Sequence, residues 1–271
     1  MQIFFLGSGG GRFATITQKR CTGGFRLHAE ANVHVDPGPG ALVRSHVFGI
    51  DPTDLDAILI THAHPDHYTD CEVLIEAMTR GATKKRGTII GNKTTIEGTD
   101  FGGPVISKYH RSIVSEQIVM QPGQEAKIKN LRIEATKAVH HDPDSLGFRF
   151  HTPSGIVSYT SDTEYFDELP DIHKDARVLI ASAMRPREDR IPNHMCTEDC
   201  INLIDEVKPE IAILTHFGMK MIFAPPEKEA RQVAERTKVK TIAARLGLVV
   251  DMGEEVKTRY AREQVPLDRF L

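Results

Sequence analysis

The residues with most chemical potential lie in one segment, Thr61-His62-Ala63-His64-Pro65-Asp66-His67. Side chains two apart on an extended strand face the same side, so His62 and His64 can share one cation. Pro65 biases His64 toward extended backbone and keeps it in that register. Asp66 and His67 fall where the chain turns toward a helix, so they can address a second cation nearby. Imidazole and carboxylate suit zinc, iron or manganese.

The flanking elements must hold this segment in place. Ala57-Ile-Leu-Ile60 is a continuous apolar run and reads as a buried strand. Thr69 and Glu72 have capping-box spacing, and Val73, Leu74, Ala77 and Met78 share a face. The spacing predicts a helix that starts near Thr69 and stops at Gly81. Ile3–Leu6, Gly24–Leu27, Asn32–Val35, Leu131–Ala135, Gly147–His151, Ile156–Tyr159, Val178–Ala181 and Ile211–Leu214 also read as strands. Helices are expected from about Thr197, as N-cap, to Val207 and from Pro226 to Arg236. Strands precede helices in both halves, which predicts an α/β unit with central sheets and outer helices, one domain over 1–271.

Composition narrows the class. The chain is 40% hydrophobic and 26% charged, which excludes disordered and low-complexity classes. A net charge of −3 shows no strongly basic nucleic-acid footprint at whole-chain level. Four scattered cysteines do not make a disulfide scaffold. No apolar run is long enough for a membrane span, and the expected setting is cytoplasmic. Histidine is over-used, with 13 residues beside 5 Tyr and no Trp.

His62-x-His64-x-Asp66-His67 after an apolar strand resembles the signature of the metallo-β-lactamase-fold hydrolases. Further segments resemble the family's later motifs in order: His141-Asp-Pro-Asp-Ser145-Leu-Gly-Phe148, Tyr159-Thr-Ser-Asp162-Thr163 and Leu214-Thr-His216-Phe-Gly. The resemblance implies an αββα sandwich of two mixed sheets flanked by helices. It also implies a site for two divalent metal ions, zinc before manganese or iron. His62, His64 and His141 would hold the first ion, and Asp66, His67 and His216 the second, with Asp162 bridging. His140 is the alternative to His141, because adjacent residues on a strand face opposite sides. The distance to Ser145 favours His141. Asp36, in Val35-Asp36-Pro-Gly, would orient a ligand rather than bind metal.

Such a site implies hydrolysis through a hydroxide that bridges the ions, with Asp66 orienting or deprotonating it. His64 stands where flavo-diiron oxidoreductases of this fold place Glu, which argues against that branch. The motifs look most like the branch of RNase Z and phosphodiesterases. RNase Z enzymes carry His-Glu-Ala-Thr after the bridging Asp, whereas the corresponding stretch here is Ala181-Ser-Ala-Met184. No long Gly/Pro-rich tRNA-gripping arm is visible. The expected substrate is therefore a small phosphodiester or a nucleic-acid end. The alternatives are a lactone, ester or thioester hydrolase and a non-catalytic metal-binding module. His194 is a candidate proton donor, and the helix start at Thr197 and Arg185 and Arg187 are candidate phosphate contacts. Gly7-Ser-Gly-Gly-Gly11 reads as a tight turn near the site. A homodimer is the default assembly.

Overall fold

The computed structural model describes residues 1–264. Residues 265–271 of the expected domain span lie outside the described residues. Among the described residues, eight strands form one sheet in the spatial order Val256–Tyr260, Leu248–Met252, Gln2–Gly7, Thr22–His28, Asn32–Val35, Ala57–Ile60, Thr88–Gly91, Glu116–Val119. Seven form the other: Lys240–Ala243, Ile211–Thr215, Ala176–Ser182, Gly155–Tyr159, Leu146–Thr152, Leu131–Lys137, Glu125–Ile128. Both sheets are mixed. Asn32–Val35 runs parallel to Ala57–Ile60, whereas Gln2–Gly7 is antiparallel to its neighbours. Gly155–Tyr159, Ala176–Ser182 and Ile211–Thr215 run parallel, so their C-terminal ends share one edge.

Strand alternation builds four layers. In Ala57–Ile60, Ala57 and Leu59 face the core between the sheets, where they join Phe148, Phe150 and Ile180. Ile58 and Ile60 face outward and pack with Leu74, Ile75 and Met78 of helix Cys71–Met78. The second sheet repeats the pattern, with Ile180 inward and Leu179 and Ala181 outward against Cys200, Leu203 and Ile204 of helix Thr197–Val207. Both strands are apolar on both faces because helices cover the outer one, which is the expected αββα sandwich. Truncating Leu59, fully buried, to Ala would cost about 2–5 kcal/mol. No helix among the described residues is long and apolar enough to cross a membrane.

Local caps differ from expectation. The helix predicted from Thr69 splits into a turn, Pro65–Tyr68, and Cys71–Met78, with Asp70 at the cap position. The Thr69 hydroxyl turns back to the Pro65 carbonyl and Glu72 accepts the Ser107 amide, so no capping box forms. Gly81 does sit left-handed, φ +64°, with its N–H on Glu76 O at 2.7 Å. At the later helix, Cys196 is the N-cap and Thr197 the first helical residue. Asp199 reaches back to the Cys196 amide at 3.0 Å and closes a box there.

Candidate metal centre

The site forms where the two sheets end together. Thr61 continues the buried strand, and its N–H and hydroxyl donate to Asp36, the N–H at 2.8 Å. This fixes the start of the histidine segment. His64 is extended, φ −99° and ψ 141°, as a residue before proline should be. Asp142, fully buried, accepts the Ala63 N–H at 3.1 Å, the Asn92 amide at 2.9 Å and the Thr94 hydroxyl at 3.0 Å. Ala63 is thus pinned between His62 and His64 by a residue that neighbours His141 in sequence. Gly11 N–H donates to Asp66 Oδ2 at 2.7 Å. A Cβ on Gly10 would lie 2.2 Å from the His216 ring, so glycine is required there. The glycine turn is therefore a close-packed wall of the site.

Four non-glycine residues around the site adopt left-handed backbone: Asp36 (φ 51°), Ser161 (56°), Asn193 (65°) and His216 (57°). Each such residue costs on the order of 1–3 kcal/mol, and such strain gathers where geometry must be held for function.

The imidazoles converge. His64 Nδ1 lies 2.9 Å from His62 Nε2 and 3.1 Å from His140 Nε2. His67 Nε2 lies 3.2 Å from His216 Nε2, which is 3.2 Å from Asp66 Oδ2. Asp162 Oδ2 sits between the two groups, 4.0 Å from His62, 3.8 Å from His140, 3.7 Å from His67 and 3.0 Å from His216. Ser182 holds the other oxygen at 3.4 Å. The spacing to Ser145 favours His141 beside His62 and His64, but the structure puts His140 there. His141 is exposed, and its ring centre is 6.1 Å from that of His64. The segment after Lys137 leaves the sheet, so counting back from Ser145 does not find the inward residue.

The outer ring nitrogens show what the inner ones need. His67 Nδ1 donates to Asp36 at 2.9 Å, and His140 Nδ1 donates to the Asn193 carbonyl at 2.9 Å. The Thr61 hydroxyl donates to Asp36, so it accepts from His62 Nδ1 at 3.0 Å. In neutral rings the Nε2 atoms of His62, His67 and His140 are therefore lone pairs that converge on Asp162 and on ring nitrogens of His64 and His216 about 3–4 Å away. A cation is the group that reconciles them. Charge agrees. Burial opposes a proton on His67, yet Asp36, Asp66 and Asp162 raise its pKa well above the ordinary imidazole value. Burial, and then the charge of His67, push His62 well below it. Burial and His140 lower His64 to about 4. The residues fit metal: His62–His64–His140, Asp66–His67–His216, and Asp162 with members of each, bring ligand atoms within 4.8 Å of one another.

His194 also reaches the site. Its Nδ1 is 3.7 Å from Asp162 Oδ2, and its ring stacks on His216 with centres 5.9 Å apart. Burial lowers its pKa to about 3. It lines an open cavity of about 460 Å³ with Tyr165, Arg190 and Asn202. Of the other proposed phosphate contacts, the helix start at Thr197 and the Arg185 side chain are engaged elsewhere. The Thr197 and Glu198 amides donate to the Arg185 and Arg187 carbonyls, so that helix start has no amides to spare. Arg185 pairs with Asp189 at 3.0 Å.

The sequence profile of the beta-lactamase superfamily domain matches residues 31–217, a span that holds Asp36 and every histidine and aspartate of the cluster. The chain belongs to the beta-lactamase superfamily. Within that superfamily, it is 46% identical over 255 residues to protein MJ1374 of Methanocaldococcus jannaschii, covering 93% of this chain and 95% of the relative. It is 26% identical over 197 residues to the probable metallo-hydrolase YhfI of Bacillus subtilis, covering 72% and 79%. The crystal structure of YhfI, a metallo-β-lactamase-fold protein, matches with a TM-score of 0.75 at 23% identity, covering 92% and 98%. The short form of human tRNase Z (0.69, 16%, covering 93% and 100%) and a diphosphatase of the PhnP family (0.69, 18%, covering 94% and 99%) share the fold. This member of the superfamily is a metal-dependent hydrolase with a His/Asp cluster able to bind metal.

Proposed function

We propose that this chain is a two-metal phosphodiesterase that acts on a small phosphodiester or a nucleic-acid end. The observation that carries the reading is Asp162 Oδ2, within 4.0 Å of two separate sets of inward nitrogens. His62, His64 and His140 would hold one divalent ion, Asp66, His67 and His216 a second, and Asp162 would be shared. Zinc suits this donor set, and manganese and iron are compatible with it. Two such ions supply Lewis acidity, an activated water and a clamp on the attacking and leaving oxygens.

The protein's own groups do the rest. Asp66, held by the Gly11 amide, keeps one carboxylate oxygen at the cluster to orient a water or take its proton. His194 stands at the mouth, between Asp162 and the cavity, where a leaving oxygen would emerge. Its ring is neutral at pH 7, so it first serves as a hydrogen-bond partner. An anionic substrate oxygen against the ring raises its pKa, so that the ring takes a proton from solvent in the cavity and passes it to the leaving oxygen. The phosphodiester is supported by the tRNase Z among the similar structures, and phosphate chemistry more broadly by the diphosphatase. Ala181-Ser-Ala-Met184 and the −3 net charge weigh against long RNA.

The test is turnover of bis-p-nitrophenyl phosphate with Zn²⁺ or Mn²⁺, run beside lactone and thioester panels. Phosphodiester turnover that disappears in chelator supports the reading. Ester or lactone turnover with every phosphodiester inert overturns it.

A further inference from the structure

Three inward histidines have protein partners on their outer nitrogens: Thr61 for His62, Asp36 for His67 and the Asn193 carbonyl for His140. His216 breaks this pattern. Its Nε2 faces Asp162, Asp66 and His67, so in a ligand its proton must sit on Nδ1. That atom is buried with no hydrogen-bond partner among the described residues. Ser8 Oγ, in the glycine turn, is orphaned in the same way, and Ser8 is only 2% exposed. Both residues line one small cavity of about 30 Å³, which Asp36 and Asp66 also line. One water needs about 10–15 Å³ and two to four polar partners.

We infer that this cavity binds one structural water joining His216 Nδ1 to Ser8 Oγ, and that Ser8 is a positioning residue for His216. The water accepts from Nδ1–H and from the serine hydroxyl. Its own protons point toward the carboxylates that line the same space. Every donor is then satisfied, and the His216 tautomer with Nε2 free is locked. The Gly7–Gly11 turn thereby acts twice on one side chain, since Gly10 admits the ring and Ser8 sets its protonation.

The inference rests on the proposed role of His216 as a ligand through Nε2, and the experiment separates the two. Full-length protein is loaded with Zn²⁺ and titrated with a competing chelator, while melting in excess chelator reports folding. His216→Ala must lose zinc; if it does not, the ligand reading itself fails. Given that loss, Ser8→Ala is expected to weaken one zinc by about 10–100-fold, while Ser8→Thr, which keeps the hydroxyl, holds it as the parent does. If Ser8→Ala does not fold, Ser8→Cys, similar in size but a poor hydrogen-bonding partner, is read in its place with the same expected loss. A crystal structure of the zinc form should show a water within hydrogen-bond distance of both atoms. Unchanged zinc affinity in the Ser8 variant, or density without that water, overturns the inference.

Discussion

The two halves of the centre are built from different chemistry. His62, His64 and His140 are three imidazoles, and His64 is only partly buried. Asp66, His67 and His216 include a carboxylate, and Asp36 stands behind His67. Asp36 also accepts the Thr61 N–H and hydroxyl and, at 3.1 Å, the Tyr159 hydroxyl. In the metal-free protein the second half gathers negative charge and keeps a proton on His67, whereas the first half is neutral. On the two-ion proposal, one cluster would therefore offer two cation sites of unequal charge and unequal burial.

The largest test of that comparison removes what the halves share. Asp162→Ala should empty both sites and drop turnover by on the order of a thousandfold or more, since it strips charge from both ions. Metal analysis after gel filtration checks it, and one retained ion would mean Asp162 serves a single half. Next come half-selective losses. His140→Ala should release the ion of the first half and Asp66→Ala that of the second, each leaving about one equivalent bound. Asp36→Ala should weaken the second half by about 10–100-fold, and the first half less, because Asp36 touches His67 directly and reaches His62 only through Thr61. It should also lower stability by roughly 3–5 kcal/mol, because it leaves buried donors without an acceptor. Chelator competition and urea unfolding read the two effects.

The pH response separates the halves more finely. His64 loses its proton above about pH 4, so the first half binds metal near pH 6 without releasing one. His67 has a raised pKa, is protonated at that pH and must give up its proton. Acidification therefore weakens the second half first. Calorimetry in two buffers of different ionisation enthalpy should find proton release with only one of the two binding events; equal release with both would break the comparison. The smallest effect belongs to His141→Ala. Metal content should not change, which distinguishes it from its neighbour His140.

Local pattern carried much of this. The continuous run Ala57–Ile60 predicted a strand covered on both faces, and Pro65 predicted the extended His64. The resemblance carried by the ordered His and Asp motifs implied the sandwich that the structure shows. What stayed hidden depends on contacts distant in sequence. Asp142 pins Ala63, the Gly11 amide holds Asp66, and the Asn193 carbonyl holds His140. No spacing rule reports a partner that comes from another turn of the chain. The choice between His140 and His141 turned on the path of a loop after its strand had ended. The Thr69–Glu72 capping box failed because both side chains found nearer partners in Pro65 and Ser107.

The cluster also has a mechanical consequence. His62, His64, Asp66 and His67 follow a strand of one sheet, while His140, Asp162 and His216 follow strands of the other. Bound cations would rivet the two sheets together along a single edge of the sandwich. The opposite edge is joined by side-chain packing and by a few polar contacts, such as the Lys129–Asp56 ion pair at 2.7 Å and the Val256 N–H on Glu210 at 2.7 Å. Loading the site should therefore slow amide hydrogen exchange along the riveted edge more than along the opposite one, so that the protein opens like a hinged book clasped at the side where it works.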